Sequence, residues 1–148
     1  MSYHERQAIV SLITTLLLAL FFVVLVLPKY PAGNPYSAQV FHFWGLAAVI
    51  LVPVSIVVTI TMSILFNLTY TMATREHAPS FADERDKFIA LRSLRNARNV
   101  FAVGFFLAMG ALALGLFPSV MFILLLIAGY GSGLVANISE IYLYRKGS

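Results

Sequence analysis

The chain has 148 residues, 60% of them hydrophobic and 11% charged, where soluble domains carry about 25% charged residues. So little charge cannot cover a globule with polar surface, which excludes a water-soluble domain and points to lipid as the solvent; the length suits one domain. The formal net charge is +4, but the cations flank apolar runs, a pattern belonging to positive-inside topology and anionic headgroups rather than to nucleic acid. There are no cysteines, which excludes disulfides, thiolate metal sites and thiol redox chemistry.

A short polar segment with Glu5 and Arg6 opens the chain, and Ala8–Leu27 then runs without a charge. That run is long enough to cross a hydrocarbon core of roughly 30 Å, and longer than a signal-peptide core, so a retained helix is expected. Residues 28–43 hold Pro28, Pro31, Gly33, Asn34 and Pro35, the composition of a loop. Tyr30, Tyr36, Phe41, Phe43 and Trp44 flank it as an aromatic belt would. The second predicted span covers residues 45–70, with a kink expected at Pro53 and Ser55 or Thr59 available to the freed carbonyl.

Residues 72–98 form a charged connector. Ser80 and Asp83 have the spacing of a capping box, and Asp83, Glu84 and Asp86 suit the positive end of a helix dipole. Asp83 and Lys87 are spaced as an i,i+4 pair. The helix is expected to run unbroken past Arg92, Arg95 and Arg98 into a third span at residues 100–117. Phe88, Leu91 and Leu94 give it an apolar stripe that leaves Ile89 to one side. Pro118 and Ser119 read as a tight turn, and the fourth span covers residues 120–140 before Arg145 and Lys146.

Four crossings put Arg6, Arg75, Arg85, Lys87, Arg92, Arg95, Arg98, Arg145 and Lys146 on one face and Lys29 alone on the other. That asymmetry predicts cytoplasmic termini. The expected fold is all-α: an integral membrane four-helix bundle of two antiparallel hairpins, its third span prolonged by a charged cytoplasmic helix.

Helix association in lipid relies on small residues that permit close approach. Gly104, Ala108, Ala111 and Gly115 recur along the third span, and Gly129-x-x-x-Gly133 lies in the fourth. These faces are expected to meet within one chain, or to form a homodimer seam. Asp83 and Asp86 could hold a hard cation beside Glu76 or His77; the alternative is a helix start with capping carboxylates, and no metal or cofactor is assigned. Arg92, Arg95 and Arg98 suit anionic lipid headgroups or a partner's carboxylates. Glu140, with Asn137 before it, is the acid nearest a span: a relay if intramembrane, or an interfacial group paired with Arg145 or a connector arginine. No catalytic triad, phosphate loop or nucleotide fingerprint is present.

The opening Met-Ser-Tyr-His-Glu-Arg-Gln-Ala-Ile-Val, the block Pro79-Ser-Phe-Ala-Asp-Glu-Arg-Asp-Lys and the ending Tyr144-Arg145-Lys146-Gly147 resemble a family of small, uncharacterised bacterial inner-membrane proteins. That family carries an Asp-Glu-Arg-Asp motif before its third span. The resemblance implies four spans in a bacterial inner membrane and supplies no catalytic residue. The function expected from the sequence is therefore a non-enzymatic membrane protein. Its charged helix, Asp83, Glu84, Arg85, Asp86, Arg92, Arg95 and Arg98, would bind a partner, another copy or anionic lipid. The competing expectation is an oligomeric transporter or channel using Asn67, Asn137 and Glu140.

Overall fold

A computed structural model describes residues 3–74 and 83–146. It contains four long helices: α1 (Tyr3–Phe21), α2 (Ala38–Thr74), α3 (Glu84–Ala113) and α4 (Pro118–Lys146). All four are long and apolar enough to cross a membrane. Leu, Val, Ile and Phe side chains stand exposed along every helix, among them Val49, Phe106 and Leu107. Such a surface would aggregate in water and is at home against acyl chains.

Each helix boundary has a local cause. Pro28 has no amide hydrogen to continue the ladder of α1, and the chain first widens into a π-helical turn over Phe22–Val26 and then tightens into a 3-10 turn over Leu27–Lys29. The loop that follows is shorter than expected, because α2 begins at Ala38 rather than near residue 45. Asn34 Oδ1 accepts the Tyr36 amide at 2.9 Å, and Ser37 O accepts the amides of Val40 and Phe41. That turn starts a helix whose first buried stripe is Val40, Trp44, Ala47 and Leu51. α2 then continues through Pro53 as one helix. Ser55 Oγ donates to Val52 O at 2.8 Å, so it does not serve the carbonyl that Pro53 frees one turn back.

Asp83 caps α3. Its carboxylate accepts the Glu84 amide at 2.7 Å, and its own amide donates to Asp86 Oδ2 at 3.2 Å, closing a capping box one turn later than the sequence suggested. Glu76, His77 and Ser80 lie outside the described residues. α3 runs unbroken into the apolar region, as the sequence indicated, and stops at Ala113. The turn is Leu114–Phe117: Gly115 has φ +76°, its amide donates to Leu112 O, and the Leu116 amide donates to Ala111 O. This is the double bond pattern of a Schellman stop, which favours glycine at that position. Pro118 and Ser119 already belong to α4, with proline in the first turn where a missing donor costs nothing.

The helices lie side by side in the order α2, α1, α4, α3, with α3 packed chiefly on α4. Neighbours in that order run antiparallel: Tyr3 meets Asn67, Thr15 meets Asn137, and Asn96 meets Ser139. The α3–α4 seam is the closest approach. A Cβ built on Gly104 would lie 2.4 Å from Ala128 Cβ, and Ala108 and Ala111 are buried on the same face.

Candidate functional site at the polar end

Because neighbours alternate in direction, one end of the molecule collects the start of α1, the end of α2, the start of α3 and the end of α4. Most of the charged side chains described in the structure sit there. His4 Nε2 lies 3.4 Å from Asp86 Oδ2, and the Tyr144 hydroxyl donates to Asp86 Oδ1 at 2.9 Å. The His4 ring stacks on the Tyr144 ring, centroids 6.2 Å apart and planes within 9°. One carboxylate thereby joins α1, α3 and α4. Glu140 lies within electrostatic reach of both His4 and Asp86.

A second link lies beside it. Arg145 Nε donates to Glu5 Oε1 at 2.9 Å, and Glu5 is buried although its partner is largely exposed. The Tyr3 hydroxyl donates to Asn67 Oδ1 on α2, and the Tyr3 ring meets His4, Phe66 and Tyr70. Deeper in the seam, Asn137 Nδ2 donates to Thr15 Oγ1 at 3.3 Å and Asn96 Nδ2 to Ser139 Oγ at 3.2 Å. Ser93, buried on α3, has a hydroxyl without a partner among the described residues.

The structure divides the predicted binding helix into two faces. Asp86 turns inward to His4 and Tyr144. Asp83, Glu84, Arg85, Arg92, Arg95 and Arg98 are exposed. The apolar stripe is also reversed: Ile89, Ser93 and Ala97 are buried against the bundle, while Phe88, Leu91 and Leu94 are each about 60% exposed or more. No Asp83–Lys87 ion pair forms among the described residues, since Asp83 serves as the cap.

The predicted small faces meet only in part. Gly104, Ala108 and Ala111 face α4, where Gly104 meets Ala128 rather than Gly129 or Gly133. Gly133 faces α1, where an added Cβ would lie 3.5 Å from Thr15 Cγ2, and Gly129 faces open space. Gly115 is the turn glycine. Arg145 engages Glu5, not the Glu140 suggested by sequence spacing. Asn137 is buried in the α1–α4 seam, and Asn67 is held by Tyr3 at the other edge of the bundle.

Among the described residues no three His, Asp or Glu side chains converge to hold a metal ion. What the cluster does chemically is latch helix ends together and place His4, Asp86, Glu140 and Tyr144 within one network. Sequence reading passed over Tyr3, His4 and Glu5. The signal that points toward them is the even number of spans, which puts the first turn of α1 on the same face as the start of α3 and the last turn of α4; the packing order then brings them together.

The opposite end is closed by aromatics. Trp44 stacks on Phe122 at 5.5 Å, packs near Phe22, Tyr30 and Phe43, and donates from Nε1 to Ser119 Oγ at 3.3 Å. The Tyr30 hydroxyl shares that serine at 2.7 Å. Trp44 is thus a buried centre of packing and not part of an interfacial belt, whereas Tyr36 and Phe41 are exposed.

Compared with family models, curated proteins and solved structures, the chain matches none. What stands from its own residues is a chain of four candidate membrane helices, a multi-pass membrane protein by length and composition.

Proposed function

We propose that this is a non-enzymatic protein of a bacterial inner membrane, with its polar end in the cytoplasm, that engages an acidic surface through the inner half of α3. The observation that carries the reading is the sorting of that helix. Of the three acids at its start only Asp86 turns into the bundle, Asp83 and Glu84 staying exposed at the cap, and beyond them Arg92, Arg95 and Arg98 are exposed on the side that also presents Phe88, Leu91 and Leu94, with no acid among them. From the turn at Ala113, a core of roughly 30 Å ends about 20 residues up the helix. That depth puts Arg92 at the inner boundary, Arg95 just inside it and Arg98 about a turn deeper, positions from which the stems lie against acyl chains and the heads snorkel toward the phosphates. Anionic inner-leaflet lipid is the best fit; the carboxylates of a partner or a second copy would answer the same chemistry.

The test is extraction in polymer-bounded native discs of wild type and of the variant carrying Arg92→Glu, Arg95→Glu and Arg98→Glu. The reading expects the variant to lose enrichment in anionic lipid or a copurifying partner. An unchanged lipid and protein complement would overturn it.

One observation favours a second reading, a small transporter. Between α1 and α2 lies a cavity of about 240 Å³ bordered by Gln7, Ser11, Thr14, Thr59 and Ser63, close to the polar end. Ion or solute flux in proteoliposomes, abolished by Ser63→Leu or Glu140→Gln, would support this reading over the first.

A further inference from the structure

The other end of the molecule carries a feature that the binding helix does not explain. Between the end of α1 and the first half of α2 runs an apolar groove of about 420 Å³, with Phe21, Leu25, Ile50 and Val54 along it and Lys29 at its mouth. A second hollow of about 700 Å³ adjoins it, sharing Lys29, Phe43 and Leu46 and adding Gln39 and His42. The groove wall on the α1 side includes residues of the π-helical turn Phe22–Val26. Such turns often occur at functional sites.

Charge decides what would fill it. No Asp or Glu occurs between Glu5 and Glu76 or between Asp86 and Glu140, so this end of the bundle holds no carboxylate at all. Lys29 is its only fully charged side chain and is exposed. The Lys29 ammonium, the Gln39 amide and the His42 ring offer hydrogen-bond donors at the mouth of a slot that is otherwise hydrocarbon.

We propose that the groove and its rim form a site for one anionic phospholipid of the outer leaflet. Its phosphate rests on Lys29, with Gln39 and His42 as further donors, and one acyl chain lies along Leu25 and Ile50. The site is separate from the α3 face; it rests on the reading that these helices span a bilayer, and its leaflet on the proposed orientation.

The experiment is native mass spectrometry of the purified full chain, delipidated in mild detergent and titrated with chain-matched phosphatidylglycerol or phosphatidylcholine. The expected result is one phosphatidylglycerol retained in preference to phosphatidylcholine. Lys29→Gln lowers that preference about fivefold, the factor one lysine–headgroup attraction supplies, and Ile50→Trp, which fills the groove, weakens both lipids. The Lys29 effect keeps its size when Arg92, Arg95 and Arg98 are all glutamine, which separates this site from the α3 face. Soluble glycerol phosphate fails to displace the lipid. Equal retention of the two lipids, a preference untouched by Lys29→Gln, or displacement by glycerol phosphate would each overturn the proposal. Since Lys29 is exposed, its variant remains informative if the tryptophan variant does not fold. A chain that proves monodisperse in buffer without amphiphile would instead overturn the membrane reading beneath it.

Discussion

Replacing Gly104 with alanine adds a single methyl group to the tightest seam in the molecule. The new Cβ would lie 2.4 Å from Ala128 Cβ and 3.2 Å from Ala128 Cα. Carbon contacts are comfortable at about 3.5–4.0 Å, so α3 and α4 must part by about 1 Å along a face that also buries Ala108 and Ala111. Overpacking of this kind costs about 1–3 kcal/mol. Alanine also favours a helix over glycine by about 1 kcal/mol, which offsets part of the loss. Gly129→Ala separates the two effects. Its Cβ would meet nothing within 4 Å, so it keeps the propensity gain without the clash. The difference between the two variants is therefore the overpacking cost itself, about 1–3 kcal/mol. The assay is equilibrium unfolding in mixed micelles, reading helicity against denaturing detergent. Adding Ala128→Gly to Gly104→Ala removes the nearer clash and recovers most of the loss. Equal stabilities for the two single variants, or no recovery in the double, would refute the close approach of α3 and α4.

Three further outcomes are expected. Arg145→Gln takes a charged donor from the buried Glu5 carboxylate and lowers stability by about 1–2 kcal/mol; adding Glu5→Gln removes the charge that Arg145 had balanced and restores part of it, and a double variant less stable than the single would contradict the pairing. Gly115→Ala forces a side chain into a left-handed conformation at φ +76° and costs about 1–2 kcal/mol, read in the same unfolding assay, with Gly115→Asn milder. In a chain without native cysteine, an impermeant thiol reagent applied to spheroplasts labels Ala32→Cys but reaches Lys87→Cys only after lysis; the reverse pattern would invert the proposed orientation.

How much of this was legible in the sequence depends on which property lipid leaves informative. The number of candidate spans and the unbroken run of the charged helix into the third were legible because a run of apolar residues has to match a hydrocarbon thickness and because proline and glycine punctuate it. Helix faces were not, because apolarity marks burial only when the alternative is water. Phe88, Leu91 and Leu94 looked like a core stripe and are exposed, while Ile89, Ser93 and Ala97, which include a small residue and a polar one, are buried. Gly129 and Gly133 formed the recognisable motif, yet the contact partner of Gly104 is Ala128, one position away. The turn was misplaced as well: the sequence reading set it at Pro118 and Ser119 and counted Gly115 in the packing stripe, whereas Gly115 holds the left-handed turn position.

Polar residues carried more information than their number suggested. A side chain that lipid rejects must find a partner. Thr61 and Thr69 find it in their own helix, but three pairs mark the seams: Thr15 and Asn137 between α1 and α4, Asn96 and Ser139 between α3 and α4, Tyr3 and Asn67 between α1 and α2. Their pairing could not be read from spacing, because each partner lies on another helix. Asp86 shows the consequence most clearly. Within its own helix it is one acid among three at a cap. Against α1 and α4 it becomes the joint between His4 and Tyr144, while Glu84, two residues before it, stays on the exposed face with the arginines.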